Sequence, residues 1–369
     1  MRYKLSHLVF LALPAVGFAA VEDGHPLFQS DEVLKAVLSA PISQTYAQKK
    51  QEVRLYHPGQ WTYTNAKGET QRLDVSIRTR GDFRRKNCRL PPLQLNFKKS
   101  QVKGTLFKGQ DKLKVVAPCY DSEKYQQFVI LEYLAYRTFE IITDHSFRTR
   151  LLRLTYLDSD ENLEPWTHIV FVIEDDSDMA KRLDLNRLNI PSIEYYELDH
   201  PHAALVQLFQ LLIGNNDYSL IKGDGINCCH NTEILAPESF ESPRIAVPFD
   251  FDVSGLVDAP YASPPSQIPI ENVRDRYFNG LCQADDVLHS AIEHVKSKRD
   301  EIISLFENSA ELTARNRNRS VVYIKEFFEI LDKPKRIQRE IVGRCRGRDH
   351  LEKMLEAARD STSDQPDPT

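Results

Sequence analysis

The sequence predicts an α+β protein, strand-rich in its first half and mainly helical in its second. Three observations carry that expectation. Apolar residues alternate with polar ones in several short runs between residues 73 and 116, the period-two signature of half-buried strands. Tyr125 to Ile142 has helical period and contains neither Gly nor Pro. Beyond residue 285 one helical pattern follows another.

Taken in order, residues 31–39 read as a short helix. "RLDVSIRTRGDF" places Leu73, Val75 and Ile77 on one face of a strand. "LPPLQLNF" reads as a second strand, with Pro91 and Pro92 at its start, where proline is tolerated. "DKLKVVAPC" is a third, closed by Pro118. The aromatic-rich helix Tyr125–Ile142 follows, then the strands "FRTRLLRLTY" and "WTHIVFVIE". Asp175 to Glu197 is charged and irregular, broken by Pro191, and reads as a connector. "PHAALVQLFQLLIGNND" is a helix entered at Pro201 and left at Gly214. A loop rich in Gly, Asn and Cys leads to the strands "NTEIL" and "RIAVPFDFD". After a Pro-rich loop, helices are expected at Asp285–Phe306, Ser320–Leu331 and from Lys335 to about Ala358, the last with a Gly interruption.

The first residues differ in kind. Arg2 and Lys4 precede an apolar run from Leu8 to Val16 and the small residues Gly17, Ala19 and Ala20, the pattern of a secretory signal peptide over residues 1–20. No Cys follows directly and no later run is apolar enough to span a bilayer, so the expectation is an extracytoplasmic protein with no integral membrane segment after signal cleavage. The expected partition is 21–175 for the strand-rich part, 176–358 for the helical part and 359–369 for a disordered polar tail. A net charge of -5 without a basic stripe argues against a nucleic-acid partner. In an exported chain the six cysteines are candidates for disulfides, and the absence of a CxxC pair argues against a zinc knuckle. Cys88 is expected to pair with Cys119, and Cys282 with Cys228 or Cys229. The adjacent Cys228 and Cys229 are expected to find distant partners rather than each other.

The chemistry concentrates in the second half. "VPFDFDVSG" ends an apolar strand with Asp250 and Asp252, and Asp is expensive to bury unpaired. Asp217 follows a helix end in "IGNNDYS", and Asn231 precedes a strand in "CCHNTEIL". Carboxylates and an amide beside short strands suit a hard cation such as Mg²⁺. One carboxylate could instead take a proton from an attacking hydroxyl.

The order helix, Asp loop, Asn, strand, Asp-Phe-Asp resembles the protein-kinase-like fold, and the wording is similar to the CotH-like atypical kinases, "GNxD … N … PxDxDxxxG". Here it reads Gly214-Asn215-Asn216-Asp217, then Asn231, then Pro248-Phe249-Asp250-Phe251-Asp252 and Gly255, within a resemblance covering residues 70–285. The resemblance implies a two-lobed protein-kinase-like fold with a β-rich N-lobe and a mainly helical C-lobe. It implies Mg²⁺ or Mn²⁺ and ATP or another nucleotide, with a hydroxyl-bearing protein or glycan as acceptor. Asp217 would be catalytic, and Asp250 and Asn231 would bind metal, with Asp252 either a further ligand or a structural acceptor. Lys114, with Lys112 on the same strand face, would contact phosphates and pair with Glu132 on the following helix. "IRTRGDFRRKNCRLPP" resembles the family's "RGxxSR" region, which makes Arg80 a phosphate-site candidate. Arg84 to Lys86 read as an exposed basic turn, and Arg274 and Arg276 either reach the site or face an acidic surface.

The pattern also departs from the family. Lys222 stands where ordinary kinases place their Asn, Asn227 is a second candidate for that role, and no Gly-x-Gly-x-x-Gly loop is present. Three functions follow. The first is an exported metal-dependent phosphotransferase. The second is a binding or envelope protein that has lost the chemistry. The third is a metal-dependent phosphohydrolase, ranked last for want of a His cluster, since His200 and His202 flank Pro201 as surface residues of a helix start.

Overall fold

The computed structural model describes residues 25–223, 228–237 and 243–363. The expected signal peptide, Asn227 and residues 364–369 of the expected tail lie outside the described residues.

Seven strands close into a barrel: β1 (Leu34–Ala40), β2 (His57–Thr64), β3 (Thr70–Thr79), β4 (Leu93–Phe97), β5 (Lys112–Val116), β6 (Thr149–Asp158) and β7 (Trp166–Ile173), in the order β1-β2-β3-β4-β5-β7-β6. Every pairing is antiparallel except β1 with β6, the parallel contact that completes the ring. Alternation drives this, since Leu73, Val75 and Ile77 on β3 all point inward to a core built around Trp61, Phe97 and Phe107. Strand β7 is buried on both faces. Val170 and Val172 join the barrel core, while Phe171 and Ile173 join a second core outside it.

That second core begins on helix α3 (Glu123–Ile142), whose Tyr133 and Tyr136 rings pack against Phe171. The Ser122 hydroxyl caps the helix by accepting from the Tyr125 N–H. Two short helices, α1 (Ile42–Ala47) and α2 (Phe83–Asn87), sit in barrel connections. After β7 come α4 (Asp176–Arg182), β8 (Asn186–Arg187), α5 (His200–Ile213), β9 (Thr232–Ala236) and β10 (Ile245–Pro248). Strands β8, β9 and β10 form a separate antiparallel sheet in the order β10-β9-β8. The remainder is α6 (Asp285–Ser297), α7 (Arg299–Glu307), α8 (Ala314–Leu331), α9 (Pro334–Ile337) and α10 (Arg348–Ser363). No helix among the described residues is long and apolar enough to cross a membrane.

The fold overturns the two-lobed protein-kinase-like expectation with its helical C-lobe. The first half is a closed seven-stranded barrel, and the second half contains a three-stranded sheet of its own. The cause lies at residues 31–39, expected to be helical. Leu34, Ala36 and Leu38 alternate into the barrel core, and pairing on both sides, with β2 and with β6, holds the segment as a strand. The expected helix over residues 285–306 is two helices, with Lys298 capping the first and opening the second. The helix expected from residue 335 is broken, as expected, around its glycines, with a π-helical turn at Gln338–Val342 before Gly343, and α10 runs on to Ser363, into the segment expected to be a disordered tail.

Cys88 and Cys119 are bonded as expected. The other expectations are corrected: Cys228 bonds its neighbour Cys229, and Cys282 bonds Cys345. The segment before α6 and the segment after the π-helical turn bring the last pair together, with a Leu281–Arg346 bridge and Cys282 N–H donating to the Arg346 carbonyl at 2.8 Å.

A charged cleft at the barrel mouth

Helix α5 ends at Gly214, whose φ of 65° is the left-handed conformation that glycine adopts without cost. The turn beyond it is held by the Asp217 N–H donating to Asn215 Oδ1 at 3.0 Å. Asn231 Nδ2 donates to Asp217 Oδ2 at 3.0 Å and to its carbonyl at 2.8 Å. His230 Nε2 lies 2.9 Å from Asp217 Oδ1, and a carboxylate can only accept, so the imidazole donates. Both oxygens of Asp217 are therefore oriented by the adjacent residues His230 and Asn231 of the segment leading into β9.

Strand β10 delivers the paired aspartates. Phe249 N–H donates to the Asn231 carbonyl at 3.0 Å, which ties the two motifs together. Asp250 then turns left-handed with φ of 63°, as Asn231 does with φ of 51°, a conformation Asp and Asn tolerate better than most residues. That turn breaks the alternation expected of an extended strand. Asp250 is exposed, its N–H donates to the Tyr136 hydroxyl at 2.9 Å, and its carboxylate makes no hydrogen bond or salt bridge among the described residues. Asp252 is buried, accepting from the Tyr261 hydroxyl at 2.9 Å, with Arg84 Nη1 at 3.6 Å. Burial, then the charge of Asp250, pushes the Asp252 carboxyl up to about 6, against the pull of Arg84.

The expected pairing of Lys114 with Glu132 is not formed. Lys114 instead makes an ion pair with Asp176 at the start of α4, and Lys112 is exposed. Glu132 is fully buried on α3 and pairs with Arg84, whose Nη1 donates to Oε2 at 2.9 Å. Desolvation pushes the Glu132 carboxyl up to about 8, opposed by Arg84 and reinforced by Asp252 and Asp250. Arg84 Nη2 donates to the Ala117 carbonyl at 2.8 Å. Helix α2, which carries Arg84, ends at Cys88, and the Cys88–Cys119 bond fixes it two residues from Ala117. This side chain, expected on an exposed turn, is the buried cation of the site.

These groups line one cleft of about 670 Å³. Arg80, Lys114, Glu132, Asp217, Asp250 and Asp252 all border it, while Asn231 is absent from the lining and acts on Asp217. Arg78 turns away, stacking on Tyr56 and bonding Gln94. Arg276 serves the scaffold, donating to the Leu211 and Leu212 carbonyls at 3.1 Å each at the end of α5. His202 is buried rather than on the surface, bonds the Ala246 carbonyl at 2.8 Å, and is pushed down to about 4 by desolvation.

Sequence reasoning missed Arg84, Tyr136, Tyr261 and His230. For Tyr136 a signal existed, because it lies one helical turn after Glu132 on the same face. Among the described residues no group of three or more His, Cys, Asp or Glu side chains is gathered to hold a metal ion. The cleft oxygens that fit a hard cation are the Asp250 carboxylate, without a partner among the described residues, and the Asp252 carboxylate, which accepts from Tyr261. Set against protein-family models and curated proteins, the chain has no match in either comparison.

Proposed function

We propose that this cleft transfers a phosphoryl group from a nucleotide to a hydroxyl acceptor, in a chain exported to an oxidising compartment. The observation that carries the reading is the convergence of Asp217 and Asp250 with three cations, Arg80, Arg84 and Lys114, around one cavity. The site's chemistry supports this function; the closed barrel fold, which differs from that of the kinases, does not. Asp217 would accept the acceptor's proton, its carboxylate aimed by His230 and Asn231. A divalent cation on Asp250, with Asp252 as a further oxygen ligand, would offset the charge of the transferring group, while Asn231 holds Asp217. The arginines would bind phosphate oxygens. Three disulfides support export.

γ-Labelled ATP with Mg²⁺ or Mn²⁺, offered with protein and glycan acceptors, tests the reading. Wild type should transfer label, and Asp217→Ala and Asp250→Ala should each lose roughly a hundredfold or more. No transfer by wild type, or equal transfer by Asp217→Ala, sinks it. The ion pair between Lys114 and Asp176 favours a second reading, a binding protein without turnover. A thermal shift with Mn-ATP in the absence of label transfer would select that one.

A further inference from the structure

We infer that Arg84, held by Glu132, is the side chain that grips the donor's phosphate chain, in the place expected of Lys114. The inference rests on the phosphotransferase reading and names the anion-binding group within it. A guanidinium carries five N–H donors in a rigid fork. Arg84 spends one on Glu132 and one on Ala117, and its Nε is buried with no partner among the described residues. A buried donor left without an acceptor is costly, and Arg84 is among the residues that line the cleft. A phosphate oxygen is the acceptor that matches its charge and geometry.

Lys114 is less available. Its ammonium already meets Asp176, whose other ion-pair partner among the described residues is Arg187 at 3.8 Å, so a phosphate would have to displace a charge-paired neighbour. Arg84 is charge-paired too, with Glu132 at 2.9 Å and Asp252 at 3.6 Å, but both contacts fall on Nη1 and leave Nε outside them. Glu132 fixes the guanidinium from the helix side and the Ala117 carbonyl from the strand side, and the Cys88–Cys119 bond ties the end of α2, which carries Arg84, to the chain two residues past Ala117. Arg80 borders the same cavity, so a ligand with linked phosphates could meet two arginines at once. The matching ligand class is a phosphoanhydride: a nucleoside di- or triphosphate or an inorganic polyphosphate.

Tripolyphosphate with Mg²⁺ is the probe, and calorimetric binding to the full chain is the measurement. Arg84→Gln alone would leave Glu132 buried without its cation. The informative variant is therefore Arg84→Gln with Glu132→Gln, which removes both charges at constant shape. It should weaken tripolyphosphate at least about tenfold, Arg84→Lys should weaken it about threefold or more, and Lys114→Gln should cost a smaller factor than either. Wild-type affinity in the double variant overturns the inference and leaves the phosphotransferase reading standing. So does a loss from Lys114→Gln that equals or exceeds the loss from the Arg84 variants. If the double variant does not fold, Arg84→Lys decides, and unchanged affinity there is equally fatal. Absence of binding by wild type overturns both readings.

Discussion

Gly214→Ala should destabilise the protein, and the size of the loss follows from two separate terms. The first is conformational. Gly214 closes α5 with φ of 65°, and an L-residue in that region costs about 1–2 kcal/mol. The second is steric. A Cβ at Gly214 would overlap the Tyr323 hydroxyl, with Tyr323 Cζ next at 3.3 Å and Gly255 Cα at 3.5 Å. Tyr323 cannot swing away freely, because its hydroxyl donates to the Arg274 carbonyl at 3.1 Å and Arg276 stacks on its ring at 3.5 Å. Overpacking of this kind costs about 1–3 kcal/mol, so the total is about 2–5 kcal/mol. Tyr323→Phe removes the overlapping atom while losing one hydrogen bond, about 1 kcal/mol. In the double variant the steric term should vanish and the conformational term remain, giving a favourable coupling of about 1–3 kcal/mol. Urea unfolding of wild type, both singles and the double measures it. Gly255→Ala is the control, since its Cβ would also meet the Val273 carbonyl at 2.7 Å and Arg274 Cα at 3.0 Å, backbone atoms that Tyr323→Phe cannot move. A Gly214→Ala loss below about 0.5 kcal/mol, or a double variant as unstable as the sum of the singles, refutes the argument.

Other outcomes follow from the same packing. Glu132 carries a carboxyl raised from 4.5 to about 8, so the folded state holds that proton more tightly than the unfolded chain. Its contribution is full below pH 4.5 and is lost as pH rises through about 8, and Glu132→Gln should gain melting temperature relative to wild type across that window; parallel profiles would contradict the assignment. Replacing Cys88 and Cys119 by Ser opens a cross-link spanning 31 residues, and non-reducing urea unfolding should report a loss of about 3–4 kcal/mol, with a loss under about 1 kcal/mol counting against a structural role. Arg276→Ala frees two carbonyls at the end of α5 and should cost about 2–4 kcal/mol in the same assay. Arg276→Lys should recover little, because a point charge cannot bridge both carbonyls, and full recovery would argue against the fork geometry.

Local order was legible where one face of an element is buried. Leu73, Val75 and Ile77 alternate because β3 has one face in the barrel, and the long helix α3 shows its period for the same reason. Strand β2 was hidden by Pro58 and Gly59 within it. A Cβ at Gly59 would lie 2.7 Å from the Ala40 Cβ, so the glycine is what lets β1 approach. The order of Asp217, Asn231 and Asp250 along the chain was enough to mark one site: Asn231 bonds the Asp217 side chain, its carbonyl accepts from the Phe249 N–H, and Asp217 and Asp250 border the same cleft.

By itself the sequence determined which segments carry chemistry and which strands and helices can form, because both depend on residues close in the chain. Only the tertiary structure decided that the first half closes into a barrel, because closure rests on β1 pairing with β6, more than a hundred residues away. Partner choice among charges was decided the same way. Lys114 and Glu132 lie eighteen residues apart on a strand and the next helix, a spacing that suits an ion pair. Yet α2 brings Arg84 to Glu132 and α4 brings Asp176 to Lys114, and a buried carboxylate pairs with the cation that packing places beside it.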